Sequence, residues 1–285
     1  MSRWSAMIAV LLTLSAAVAQ TPRGIHPIIN LAVDADYCGS TDTREECSYL
    51  FGGLRYGKYV NGDSLQPKMT GRERDRLYST DKFLGIGTGS KPEIDELGHA
   101  TPSLTVALPA GITPEQTVIG IYGGWNALPR VPKKLDTTNQ VYVQLVRDLL
   151  IRKGITDPKV SITQLWRVDL EGDGKEEVII AATTPRQAYR DCSPEVEAGD
   201  YSLVLLRKLV KGKVETIAIR LKYFPATPAY SGNEDLFDLT GVFDVDGDGT
   251  MEIITSWRYH EGFGQAIHRI RGATVHDLST AGVSI

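Results

Sequence analysis

A nine-residue acidic turn that occurs twice constrains this chain more than any other feature. Asp244-Val245-Asp246-Gly247-Asp248-Gly249-Thr250-Met251-Glu252 and Asp169-Leu170-Glu171-Gly172-Asp173-Gly174-Lys175-Glu176-Glu177 each place carboxylates at positions 1, 3, 5 and 9, with glycine at position 6. Each turn runs straight into an apolar, β-branched segment, Ile253-Ile254 in one copy and Val178-Ile179-Ile180 in the other. Such segments read as buried strands. The turn therefore belongs to a repeated strand–loop–strand unit.

The chemistry of this spacing is that of a cage for a hard cation. Ca²⁺ takes about six to eight oxygens at about 2.3–2.6 Å, and alternate side chains of a tightly curled loop converge on one point. The candidate ligands are the carboxylates of Asp169, Glu171, Asp173 and Glu177 in the first loop and of Asp244, Asp246, Asp248 and Glu252 in the second. Position-7 carbonyls, those of Lys175 and Thr250, complete each set, so the Lys175 side chain is expected to point outward. An EF-hand is excluded, because it needs glutamate at position 12, where Ile180 and Thr255 stand, and helices on both sides. Acidic-glycine clusters also make plain β-turns. Matching spacing in two copies, each followed by a strand, favours the cation.

These loops resemble the calcium loops of FG-GAP and VCBS-type repeats, the β-propeller blades also found in integrin α-chains. The resemblance covers about residues 160–285. It implies that each loop joins two antiparallel strands of a blade, that the position-9 acid closes the site, and that Ca²⁺ is the cofactor.

The first residues carry Arg3, the apolar run Met7-Ile8-Ala9-Val10-Leu11-Leu12, and Ala17-Val18-Ala19 before Gln20. That is the layout of a secretory signal over residues 1–19, with an apolar run shorter than a membrane span. The expected location is extracytoplasmic, periplasmic or secreted. No later segment is long and apolar enough to span a membrane, so membrane insertion is not expected. The formal net charge is −4 and becomes −5 once Arg3 leaves with the signal, which argues against a nucleic-acid partner. In an oxidising compartment Cys38, Cys47 and Cys192 are free to pair. Cys38 with Cys47 is the easiest closure, contributing about 2.5–3 kcal/mol in the chain-entropy model; Cys192 would then be left over, or would replace one of them.

Three parts are expected: the signal, an N-terminal β-rich region over 20–135, and a helix with two calcium-loop units over 136–285. Strand candidates in the first region are Pro27–Val33, Tyr49–Tyr59, Arg76–Ser79, Leu104–Leu108 and Val118–Tyr122. One amphipathic helix is expected over Asn139–Lys153, with Val141 or Tyr142, Leu145, Val146, Leu149 and Leu150 on its stripe and Gly154 as its stop. Two meanders follow, Val160–Val168, Val178–Thr183, Tyr201–Leu209 and Val214–Leu221, then Leu236–Phe243, Ile253–Tyr259, Gln265–Arg271 and Ala273–Asp277. The fold class is mainly β, with antiparallel meanders resembling two propeller blades. A closed propeller needs about four to eight blades, so a sandwich or open sheet bearing the same loops is the alternative.

Other constellations do not carry chemistry. Gly85-Ile86-Gly87-Thr88-Gly89-Ser90-Lys91 lacks the Gly-Lys-Ser/Thr order of a phosphate loop and reads as a surface turn. His260-Glu261-Gly262-Phe263-Gly264 lacks the second histidine of a zincin helix. His260, His268 and His276 recur at even spacing, but lone strand histidines are usually structural. Trp125, among glycines, is either a core plug or a platform for sugar or peptide. The expected function is a calcium-binding module for a protein or carbohydrate ligand, with a secreted hydrolase of unrecognised active site as the rival. N-terminal sequencing of the protein from its native compartment should give a chain starting near Gln20; an intact Met1 would overturn export.

Overall fold

The computed structural model describes residues 24–31, 48–94, 101–184, 196–229, 235–259 and 262–284. The expected signal, all three cysteines, His260 and Glu261 lie outside them. The N-terminal strands β1 (Ile25–Asn30), β2 (Ser48–Arg55), β3 (Lys58–Asn61), β4 (Arg74–Tyr78), β5 (Phe83–Gly89), β6 (Ser103–Leu104), β7 (Val106–Ala107) and β8 (Ile119–Ile121) form one curled antiparallel sheet. Its order is β3-β2-β1-β8-β4-β5-β7, with β6 on β2. A one-turn helix, α1 (Gly62–Leu65), follows β3 and is capped by the Asn61 side chain. Curling is helped by a bulge in β2, where the register with β1 shifts between Ile28 and Ile29. Gly52 takes φ +124° there, and a β-carbon on it would collide with the Val60 carbonyl.

The expectation of a surface turn over Gly85–Lys91 is corrected: residues 83–89 are strand β5, paired with β4 and β7. Its glycines serve close approach rather than turning. A β-carbon on Gly87 would meet Leu77, Val106 and the Ala107 carbonyl.

Strands β9 (Lys133–Lys134), β10 (Ile162–Val168), β11 (Glu177–Thr183), β12 (Tyr201–Val210) and β13 (Lys213–Tyr223) make a second antiparallel sheet in the order β13-β12-β11-β10-β9. The β12–β13 turn carries positive φ at Lys211 and Gly212, the geometry a two-residue hairpin needs. Strands β14 (Leu236–Phe243), β15 (Glu252–Tyr259), β16 (Gly262–Arg271) and β17 (Thr274–Ser284) form a third sheet, a simple meander. The two meanders are thus antiparallel and blade-like, and each acidic loop joins two neighbouring strands, β10 to β11 and β14 to β15. Helix α2 (Gln140–Arg152) starts at Asn139, whose side chain accepts the Val141 N–H.

Three apolar clusters divide the burial. Val146 and Leu150 of α2 pack on Leu165, Ile180, Ala182, Leu203 and Leu205, one face of the second sheet. Val141 is exposed, so Tyr142 is the stripe member at the helix start. The opposite face of that sheet, with Trp166, Ile179, Val204 and Leu206, joins Ile28, Phe51 and Tyr78 of the first sheet and Val242, Phe243 and Ile267 of the third. One core is therefore shared by all three sheets. The face of the first sheet turned away from that core holds a separate cluster with Ile29, Leu50, Leu77 and Leu104.

Asp75 on β4 lies fully buried, and neither of its carboxyl oxygens has a hydrogen-bond partner among the described residues. The neighbouring Gly89 N–H donates to the Glu73 carbonyl at 3.3 Å, and its dipole only partly offsets the burial of Asp75. Burial, with Glu73 nearby, pushes this carboxyl up to about 7. An acid whose pKa is raised by folding favours the fold most below its unfolded pKa, so the stability it permits falls as pH rises from about 4 to about 7. Asp75→Asn should therefore melt higher than the wild type at pH 8, by up to about 4 kcal/mol in unfolding free energy. The difference should close toward pH 4 in urea melts; a difference independent of pH would refute it.

Candidate metal centre

The two acidic loops adopt one conformation. Glycines at positions 4 and 6 take positive φ in both, +73° and +82° at Gly172 and Gly174, +75° and +87° at Gly247 and Gly249. This left-handed backbone turns loop N–H groups inward, where the position-1 carboxylate collects them. Asp169 accepts from Gly172 N (2.6 Å) and Gly174 N (2.9 Å), and Asp244 from Gly247 N (2.7 Å) and Gly249 N (3.0 Å). The position-5 carboxylates accept the position-7 N–H, Lys175 to Asp173 at 2.9 Å and Thr250 to Asp248 at 2.7 Å. Position 9 reaches back to the position-2 N–H, Leu170 to Glu177 at 3.0 Å and Val245 to Glu252 at 3.1 Å.

A cationic side chain from the next strand enters each loop. Arg207 pairs with Val178 and His268 with Ile253. The residues that follow, Lys208 and Arg269, therefore lie across from the position-9 glutamates. Lys208 Nζ bonds Glu171 and lies 3.5 Å from Glu177 Oε1. Arg269 donates from Nε to Glu252 (2.8 Å) and from Nη2 to Asp246 (2.5 Å). Neither cation was foreseen from the sequence, since nothing in a lone Lys or Arg marks which loop faces it.

The loops differ in convergence. Asp244, Asp246 and Glu252 each present a carboxylate oxygen, and these oxygens all lie within 4.8 Å of one another. The first loop gives no such cluster among the described residues. There Glu171 and Glu177 meet Lys208, while the largely exposed Lys175 turns back onto Asp173 at 2.7 Å and holds that carboxyl below its usual range. Asp248 sits at the edge of the second loop, 3.7 Å from Arg269 Nη1.

The electrostatics of the second loop call for more positive charge than Arg269 supplies. Burial pushes Asp244 up to about 6 and Glu252 up to about 8, and the neighbouring Asp246 adds to both shifts. The Tyr59 hydroxyl from β3 is buried beside this group with no hydrogen-bond partner among the described residues, and its pKa is raised by burial and then by Glu252 and Asp246. An orphaned oxygen next to three converging carboxylates fits a hard cation or its water.

Residues 125–130 clasp both loops. The Trp125 indole N–H donates to the Asp244 carbonyl (2.9 Å), and its ring lies where a β-carbon on Gly247 would be. Asp244 N donates to Ala127 O at 2.8 Å. Arg130 bonds the carbonyls of Asp169 (2.5 Å), Leu170 (3.0 Å) and Gly249 (2.6 Å), bridging the two loops, which also touch through Met251 N to Leu170 O at 2.8 Å. Trp125 packs against the shared core, as the core reading expects, and also against the second loop.

A row of groups in the third sheet has the order of a hydrolase relay. Thr255 Oγ1 lies 2.8 Å from His268 Nε2, and His268 Nδ1 lies 2.7 Å from Asp277 Oδ1. Thr255 and His268 are wholly buried, however, with the carboxylate at the surface end, so the hydroxyl meets no substrate. Burial, then the charge of Arg220, pushes the imidazole down to about 4. Comparison with protein-family models, curated proteins and solved structures found no match to this chain. Because the folded imidazole resists protonation, the unfolded chain binds more protons between about pH 6.5 and 4, and stability falls as pH drops through that window. The stability advantage of the wild type over His268→Gln in urea melts should therefore shrink by up to about 3 kcal/mol from pH 7 to pH 4. An advantage that grows on acidification would mean a charged imidazole.

Proposed function

We propose that this chain is an exported calcium-binding β-protein of the FG-GAP/VCBS type, acting as a binding module for a protein or carbohydrate partner, with calcium in a structural role. The observation that carries the reading is the convergence of Asp244, Asp246 and Glu252 in a glycine-turned loop between two strands of the third sheet. Asp248 and the Thr250 carbonyl are the further ligands the spacing offers. Bound calcium would replace the protons that burial otherwise favours on Asp244 and Glu252, removing their mutual repulsion. A binding role is supported by Tyr122, on which His26 stacks at 6.3 Å between ring centroids; His26 in turn meets Trp125 edge-on at 5.4 Å, and Trp125 packs on this loop. Tyr122 is exposed. A panel of ester, peptide and glycoside substrates tests the rival: turnover lost on changing residues outside the loops would replace this reading with a hydrolase.

At the affinity of extracellular calcium modules, millimolar calcium stabilises such a site by only about 0.4–1.4 kcal/mol. The melting shift between calcium and chelator should be modest and should grow from pH 6 to pH 8 as the cage loses its protons. Asp248→Asn should reduce the shift more than Asp173→Asn does. Trp125, against Gly247, should sensitise terbium emission. Identical melts in calcium and chelator together with no saturable emission would refute calcium binding.

A further inference from the structure

We infer that Lys208 is the resident cation of the first loop, its ammonium standing where a metal would stand, so that the two copies of the motif differ in their dependence on metal. The inference rests on the calcium reading of the second loop for its contrast, but not for its test.

The geometry separates the loops by the shape of the cation each receives. Lys208 has a side chain only 6% exposed, and its Nζ lies between Glu171 and Glu177, the acids of positions 3 and 9. An ammonium is a compact charge with three donors, and a position between two carboxylates on opposite sides of a loop is the one a bound ion would take. Holding it there uncompensated would be costly, so the two glutamates and the lysine stabilise one another only as a set. Glu171 has the longer side chain in a place where the second loop has Asp246, and that extra length lets it meet the lysine. Asp173, the acid of position 5, is drawn outward by Lys175. Each of the four candidate ligand carboxylates of the first loop is thereby committed: Asp169 to loop N–H groups, Asp173 to Lys175, and Glu171 and Glu177 to Lys208.

In the second loop the planar guanidinium of Arg269 binds Glu252 and Asp246 through directed N–H groups. The carboxylate oxygens of Asp244, Asp246 and Glu252 still converge there. Position 7 is Thr250, which brings no second positive charge. The same backbone thus carries a lysine-filled loop and a loop still short of positive charge.

The test is calcium titration calorimetry on the full chain, with melts in calcium and in chelator, for the wild type, Lys208→Met and Lys208→Gln. The neutral variants should each bind one more calcium than the wild type. They should lose stability in chelator and regain it in calcium. Backbone amide spectra of the wild type decide the matter even where a variant fails to fold. Calcium should leave Gly172 and Gly174 without a saturation curve of their own, while Gly247 and Gly249 shift. A separate calcium titration of Gly172 and Gly174 in the wild type, or neutral variants that fold and gain neither calcium nor calcium-dependent stability, would overturn the inference. A wild type that binds no calcium would refute the reading of the second loop only; the gain in the neutral variants would then run from none to one.

Discussion

The guanidinium of Arg130 holds the centre of this structure. It reaches carbonyls on both acidic loops, Asp169 and Leu170 on one and Gly249 on the other. Loops of this kind turn their N–H groups inward and their carbonyls outward, and carbonyls left facing a neighbouring sheet without donors are expensive. Arg130 satisfies three of them from a single planar group. The clasp that carries it is itself anchored: Ala127 N donates to the buried Tyr78 hydroxyl, which also accepts from Arg76 of β4. The curled N-terminal sheet, the clasp and the two loops are therefore linked by one connected set of polar contacts.

Those contacts explain why a region with no recognisable motif accompanies the repeated units. The second and third sheets each have an apolar face that must be covered. Helix α2 covers one face of the second sheet, and the first sheet closes the remainder together with the third. Gln164 on β10 and Leu239 on β14 exchange two hydrogen bonds of 2.8 Å each, tying the second sheet to the edge strand of the third. Tyr59 and Trp125, both contributed from outside the repeated units, then lie against the second loop. The unit that carries the carboxylates does not complete its own surroundings.

The acidic loops also show how one motif separates into two electrostatic outcomes. In both copies position 1 accepts the N–H groups of positions 4 and 6, position 5 that of position 7 and position 9 that of position 2, so glycine at positions 4 and 6 and these carboxylates fix the loop. Only the position-5 N–H differs, donating to Asp169 in the first copy and to Asp246 in the second. What differs in charge and reach is the side chain opposite position 9, the acid at position 3 and the residue at position 7. A lysine in one copy and an arginine in the other, with Lys175 against Thr250, change how much negative charge is left to be balanced.

Hydrophobic period and turn chemistry are local, and the sequence alone determined what depends on them. Strands β10 to β17, helix α2 with Asn139 at its start, and the two loops with inward position-1 acids all follow from residues close together in the chain. Where glycine had more than one meaning, local reading failed: Gly85 and Gly87 mark crowding between strands in β5, not a turn. Only the tertiary structure decided which cations face the loops, because Lys208 and Arg269 lie 31 and 17 residues beyond the glutamates they meet. Their placement follows from strand register, which a one-residue slip would reverse by turning the side chain to the other face of the sheet. The same holds for Arg130, Tyr59 and the Thr255–His268–Asp277 row. Each is an ordinary residue in sequence, given its role by what the packed sheets bring beside it and by how little water is left there.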